Sequence, residues 1–228
     1  MAKDERHFDG REMVMVHDTF RREFGLLPRV VRGVATDDVA RAAAVADHID
    51  LVAGLLHHHH ELEDESVWPL LTLRCPEQIV PLVRLMEDQH ASVAATGRKV
   101  SEALAIWRVN AAPVARSMLA AALERLVPVL TEHLEVEEQR VVPAMELHIS
   151  MGEWTEILQK GMAGVDLDGL PLLFGMLFYE GDPQVIDSVL ATLPAEVRGG
   201  MRDRARQAYA ARAEQIHGTA TPPRSSQN

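Results

Sequence analysis

From about Glu12 to Ile149 apolar residues recur at helical spacing, and no stretch of strict alternation interrupts them. Three breaks divide this region. "ATDD" (35–38) offers Thr36 and Asp38 as helix caps, "RCPE" (74–77) places a proline just inside a new helix, and "NAAP" (110–113) ends in a proline suited to a first turn. The pattern predicts four helices near 12–34, 38–72, 77–108 and 112–149. Pro28 and Pro128 fall inside the first and fourth, where each removes a ladder hydrogen bond, so bends are expected there. Beyond residue 150 the texture loosens. "KGMAGVDLDGLP" (160–171) reads as loop, two shorter helices follow near 183–192 and 195–216, and "GTATPPRSSQN" (218–228) reads as a disordered tail. The expected fold is all-α: an up-down-up-down four-helix bundle over residues 1–150, a smaller C-terminal helical extension over 151–217, and a tail over 218–228. No internal repeat is evident beyond the rhythm of four helices.

The bundle stripes are not purely apolar. Written at alternating three-and-four spacing, the first reads Met13, His17, Phe20, Phe24, Leu27, Val31, and the second Val52, Leu55, His59, Glu63. The third runs from Ile79 through Val83, Met86, His90, Val93 and Gly97 to Leu104. The fourth runs from Leu119 through Leu126, Leu130, His133 and Glu137 to Val141. Each stripe carries one histidine, and two carry a glutamate one turn later. In an up-down-up-down bundle, residues at equal depth on consecutive helices straddle the intervening turn symmetrically. The midpoints of 17 and 59, of 59 and 90, and of 90 and 133 fall on or beside the three breaks. A register error of one helical turn would displace a side chain by about 6 Å, more than a metal site tolerates. His17, His59, His90 and His133 are therefore expected in one layer.

Burying four imidazoles and two carboxylates is costly unless a partner satisfies them together, and a metal does so. Imidazole with carboxylate suits iron, manganese or zinc rather than calcium. Six protein ligands exceed what one ion needs, which points to two ions bridged by Glu63 and Glu137. In "HHHHELEDESVWP" (57–69), His59 lines up with the stripe, whereas His58 and His60 diverge to either side and are read as outer or solvated residues. His57 is expected to be exposed, Glu61, Asp64, Asp88 and Glu138 to lie on solvated faces, His48 at the bundle end, and His7, His148 and His217 at the periphery.

Composition narrows the classes. Aromatic residues are 4% of the 228, hydrophobic ones 47% and charged ones 25%, as in a soluble helical protein. A formal charge of −11 leaves no basic face for a phosphate backbone, so no nucleic-acid partner is expected. The apolar run "LPLLFGMLFY" (170–179) is too short to cross a bilayer, the amino-terminal residues are polar, and the single cysteine, Cys75, excludes an internal disulfide. The expected setting is cytoplasmic, without a membrane partner, as a monomer or homodimer. No P-loop, GxGxxG after a strand, GxSxG, CxxC pair or HExxH occurs. The ferritin-like plan needs two ExxH motifs in the bundle, and the second one here, Glu214 to His217, abuts the tail.

Taken together, His17, "HHELE" (59–63), His90 and "HLEVE" (133–137) resemble the haemerythrin-like (HHE cation-binding) family, with "HDTFR" (17–21) and the prolines closing "EDESVWP" and "EEQRVVP" in agreement. The resemblance spans roughly residues 10 to 150. It implies a four-helix bundle around a non-haem di-iron centre with an oxo or hydroxo bridge. His17, His59, Glu63, His90, His133 and Glu137 would be the ligands, and the two glutamates would bridge. Two departures from oxygen-carrying haemerythrin stand out: a second histidine of the third helix is replaced by Ala94, and the fourth-helix carboxylate there would correspond to Glu138. Two octahedral irons offer twelve positions. The six ligands and the bridge fill ten, leaving two open unless His58, His60, Glu138 or a tyrosine takes one. An open site favours turnover of dioxygen, peroxide or nitric oxide, hence a redox scavenger. The alternatives are a sensing or storage module without turnover, and a di-iron oxidase of an organic substrate, which would need an apolar cavity walled by residues 150–217. No catalytic residue is assigned.

Overall fold

The computed structural model describes residues 7–162 and 166–227, so the first six residues and the middle of the expected 160–171 loop lie outside the described residues. The bundle consists of α1 (Arg11–Gly33), α2 (Val39–Leu62), α3 (Trp68–Arg74), α4 (Pro76–Asn110), α5 (Pro113–Arg140) and α6 (Val142–His148). The extension contributes α7 (Met151–Met162), α8 (Leu170–Phe178), α9 (Pro183–Thr192), α10 (Ala195–Arg198) and α11 (Met201–His217). The fold is all-helical, as the periodicity requires. The breaks act as read: the Asp38 side chain accepts from the Arg41 N–H to cap α2, and Pro76 and Pro113 open α4 and α5. Both α1 and α5 continue through Pro28 and Pro128 without interruption. Among the described residues no helix is long and apolar enough to cross a membrane.

The second and fourth expected helices are each jointed. Between α2 and α3 the residues Glu63–Val67 form a π-turn, in which the Trp68 N–H donates to the Glu63 carbonyl. Pro69 has no N–H and its ring crowds the carbonyl four residues back, so the wider turn accommodates it. Between α5 and α6, Val141 stretches to φ −100° within the right-handed helical region and its N–H still donates to the Glu137 carbonyl, just before Pro143. Each joint begins at a glutamate of the polar layer and ends at a proline six residues on.

The core is divided by that layer. One apolar cluster holds Phe20, Leu56, Val93 and Leu130. Another, towards α3, α6 and α7, holds Met13, Val67, Met86 and Val141. His17, His60, His90 and His133 lie between them in sequence on their four helices. A third cluster belongs to the extension, where Phe174, Leu190 and Ala205 pack against Met15 of α1.

The extension has two helices, α7 and α8, where none is expected from the sequence. Helix α8 is apolar all round because it is enclosed by α1 and α11, so no polar face marks it as helical. The buried Arg22 guanidinium pins this assembly to α1: its Nε donates to the Tyr209 hydroxyl and to Glu23, Nη1 donates to Glu180 at 2.5 Å, and Nη2 donates to the Met176 carbonyl. Residues 218–227, expected to be disordered, lie against the same junction. The Tyr179 hydroxyl donates to the Pro222 carbonyl, and Ser225 donates through both N–H and Oγ to Glu180.

Helices α8 and α11 approach so closely at Gly175 that a Cβ there would overlap the Ala205 carbonyl oxygen, whereas a Cβ on exposed Gly54 in α2 meets nothing within 4 Å. Gly175→Ala is therefore expected to destabilise by about 1–3 kcal/mol through overpacking. Gly54→Ala should stabilise by about 0.5–1 kcal/mol through helix propensity. Chemical denaturation of the two variants beside the parent measures both, and equal midpoints would refute the close-packing account.

Candidate metal centre

Seven buried or nearly buried side chains from four helices converge in one layer, and they form two groups that share Glu63. The first comprises His17 of α1, His59 and Glu63 at the end of α2, and Glu137 of α5. The second comprises Glu63 with His60 of α2, His90 of α4 and His133 of α5. Within each group one nitrogen or oxygen per residue lies within 4.8 Å of the others. Glu63 divides its oxygens: Oε1 is 3.1 Å from His59 Nε2, and Oε2 is 3.4 Å from His90 Nε2. Glu137 Oε2 lies between the groups, 3.5 Å from His17 Nε2 and 3.7 Å from His133 Nε2. Ligand atoms about 2.1 Å from a common ion are separated by about 3 Å along a polyhedron edge, so these spacings suit pairs of donors aimed at shared cations.

Among the described residues, the Nε2 atoms of His17, His59, His60, His90 and His133 and all four oxygens of Glu63 and Glu137 have no hydrogen-bond partner. The outer nitrogens are held instead. His17 Nδ1–H donates to Glu138 Oε1 at 2.8 Å, His90 Nδ1–H to Asp64 Oδ1 at 2.9 Å, and His133 Nδ1–H to Gln89 Oε1 at 3.4 Å. Because each partner is an acceptor, the proton sits on Nδ1 and the Nε2 lone pair faces the centre. These acceptors are themselves oriented: Trp68 Nε1 donates to Asp64 and Arg21 Nη1 to Glu138. Burial pushes Glu138 up, but the hydrogen bonds from His17 and Arg21 outweigh it and leave its pKa below the ordinary carboxylate value.

Without a cation, burial favours the neutral forms of Glu63, Glu137, His59, His60 and His133. Burial lifts Glu63 to about 8, and burial with the charge of Glu63 lifts Glu137 well above its usual value. Burial, reinforced by the neighbouring imidazoles, drops His60 to about 2 and His133 to about 3, and drives His59 well down. Neutral imidazoles of His59, His60 and His133 and two protonated carboxyls thus face one another, an arrangement that a pair of cations would satisfy at once.

The structure departs from the sequence reading at several residues. His60, read as an outer residue, is 7% exposed and stacks on His90 with ring centroids 4.0 Å apart. The reason is the phase of α2. Its buried line runs Val45, Ile49, Val52, Leu56, and one further turn reaches His60, with His59 beside it and 100° around the helix. Adjacent residues on one helix can thus face two different groups. His58 turns away and hydrogen-bonds through Nε2 to the Gly161 carbonyl, while His57 is exposed beside Glu61. Asp64 is exposed as expected but also accepts from the His90 ring, and Glu138, expected on a solvated face, is half-buried against His17 and is not in either group. His48 and His217 are buried around Glu23, away from this layer.

An apolar cavity of about 160 Å³ lies against His59, walled by Phe20 of α1, Leu55 and Leu62 of α2, and residues of α7 and α8 including Ile157, Leu173 and Met176. A second, of about 280 Å³ between α2 and α4, reaches His60 past Ala94 and Gly97.

Searches of curated proteins and of solved structures returned no match. The family described as hemerythrin HHE cation binding domain matches residues 10–145, which is more than half of the chain and includes every side chain of the two groups. On that span and that constellation of histidines and glutamates, this protein belongs to the hemerythrin HHE cation-binding family.

Proposed function

We propose that the chain holds two iron ions bridged by Glu63 and Glu137 and that it binds and reduces a small oxidant, dioxygen, hydrogen peroxide or nitric oxide, as a redox scavenger. One observation carries this reading: the two groups are unequal. His60, His90 and His133 serve one ion position and His17 and His59 the other, with both carboxylates common to the pair. With an oxo or hydroxo bridge the three-histidine position would be filled at six ligands, and the two-histidine position would keep one place for an exchangeable molecule. His60 therefore fills one of the two vacancies that the six expected ligands leave. The remaining place is on the His59 side, where the 160 Å³ apolar cavity lies.

When bound, the iron pair supplies the electrons and the affinity for a small oxidant. The protein's own side chains do the rest. Glu138, Asp64 and Gln89 hold three imidazoles in one tautomer and orientation. Phe20, Leu55 and the α7–α8 wall keep the approach to His59 apolar, which admits uncharged small molecules more readily than ions. A second reading, reversible binding for storage or sensing, is favoured by the single exchangeable place itself.

Three measurements test these statements. Elemental analysis with Mössbauer spectroscopy should find two irons per chain, and His60→Ala should lose iron at the three-histidine position while His58→Ala keeps both. One zinc per chain, or full iron retention in His60→Ala, would refute the assignment. Metal uptake should release protons. Glu63 lies near 8 in the metal-free fold, so below that pH its proton must leave before it can bind, and apparent affinity should climb as pH rises towards 8. Addition of iron(II) to weakly buffered protein at neutral pH is expected to release about two protons per chain, one from each carboxyl, and a null pH-stat trace would contradict the buried-carboxyl picture. Finally, stopped-flow mixing of the reduced protein with peroxide separates the readings: rapid dioxygen evolution or repeated turnover supports the scavenger, and a long-lived adduct released intact supports the binder.

A further inference from the structure

Six residues along α1 from His17, roughly 9 Å at the rise of a helix, the buried carboxylate of Glu23 forms the focus of a separate cluster. Its Oε2 lies 3.0 Å from Nε2 of His48 on α2 and 3.4 Å from Nε2 of His217, the last residue of α11. All three side chains are at least nine-tenths buried. The two imidazoles meet edge to face, with centroids 5.9 Å apart and planes at 88°. His17 and His59 in the main centre show the same relation, at 5.3 Å and 82°, and approach their carboxylates at similar distances.

Glu23 is also positioned as the main-centre ligands are, by groups on its other side. Its Oε1 accepts from Tyr209 Oη at 2.7 Å and from Arg22 Nε at 3.0 Å, leaving Oε2 to face the histidines. Among the described residues Nε2–H of His48 donates to Oε2, while Nδ1 of His48 and both ring nitrogens of His217 are left without a hydrogen-bond partner. A buried polar group without a partner costs about 1–3 kcal/mol. A cation bound at Oε2 and both Nε2 atoms, with each ring proton on Nδ1, would give His217 Nε2 the partner it lacks.

We propose that Glu23, His48 and His217 form a second site, distinct from the main centre, for one divalent transition ion of the zinc or iron(II) type, and that this ion clamps the end of α11 to α1 and α2. Two imidazoles and a carboxylate exclude calcium and magnesium as preferred occupants and leave one or more positions for water or hydroxide. An ion has a route in: a cleft of about 240 Å³ between α1 and the segment after α11 reaches His217. Arg29 and Arg41 line that cleft, and Arg22 lies beside Glu23, so the site binds more weakly than the main centre and loads after it. Glu180, paired with Arg22, offsets part of that repulsion.

The test uses the iron-loaded protein titrated with zinc. Isothermal titration should show one further zinc per chain in the parent and none in His217→Ala or His48→Gln, with the absorption of the main centre unchanged in both variants. Zinc-edge anomalous diffraction from crystals of the zinc-treated parent should place a peak among Glu23, His48 and His217, a measurement that holds even where a variant fails to fold. Absence of that peak, or zinc binding that survives removal of His217, would overturn the proposal. Because the main-centre absorption is read separately, failure of this site and failure of the di-iron reading give different results.

Discussion

The cost of taking carboxylates and imidazoles out of water governs this structure. Two glutamates and five histidines occupy one layer across a bundle whose core is otherwise hydrocarbon, and their inward atoms make no hydrogen bonds among the described residues. Left alone, such groups neutralise themselves, the carboxyls by holding protons and the imidazoles by refusing them. The surrounding structure does not relieve this cost by hydrogen-bonding the inward atoms. It fixes the outward atoms and leaves the inward ones available. A layer built for hydrogen bonding would have paired the carboxylates with arginine or backbone donors, as happens at Glu23 Oε1 a few residues away.

That logic is repeated in two halves. Helices α1 and α2 supply His17, His59, Glu63 and Asp64, and helices α4 and α5 supply His90, His133, Glu137 and Glu138. In each half the first acid points between the groups and the second crosses over to hold a histidine of the other half: Asp64 holds His90, and Glu138 holds His17. Each half then ends its ligand turn at a proline, Pro69 or Pro143, where the helix is forced to re-form. The halves differ at one position. The residue after His59 is His60, whereas the residue after His133 is Leu134, which is fully buried in the apolar core. A single exchange of leucine for histidine thus makes one group richer in nitrogen, three imidazoles against two.

Much of this was legible in the chain, and for identifiable reasons. Helical periodicity and three loop signals locate four helices, and the equal depth of His17, His59, His90 and His133 follows from short connections alone. His60 escaped because a single stripe was drawn through α2 at Leu55 and His59, while the buried line runs through Leu56. A layer with two groups needs neighbours that diverge by 100°, and a one-stripe description cannot represent that. Helix α8 escaped because its nine residues carry no polar side chain, so no polar face betrays its period. His217 escaped for a different reason: its partners, Glu23 and His48, are at the other end of the chain, and no local pattern near residue 217 marks it as buried.

The extension matters because of where it docks. Helices α7 and α8 cover α1 and α2 on the side of His59, so the cavity beside the two-histidine group is walled by the extension as well as by the bundle. The bundle alone would expose Phe20, Leu55 and Leu62 to water on that face, and an apolar face open to water gives no selection between neutral and ionic visitors. Covering it converts a surface into an apolar cleft walled on two sides. The anchor is polar rather than greasy: Arg22 reaches from α1 to Glu180, Tyr209 and the Met176 carbonyl, tying α8 and α11 to the same helix that carries His17. Buried ion pairs add little net stability compared with hydrocarbon, but they demand one geometry. An anchor of this kind fixes the register of α8 against α1, and with it the shape of the wall that faces His59.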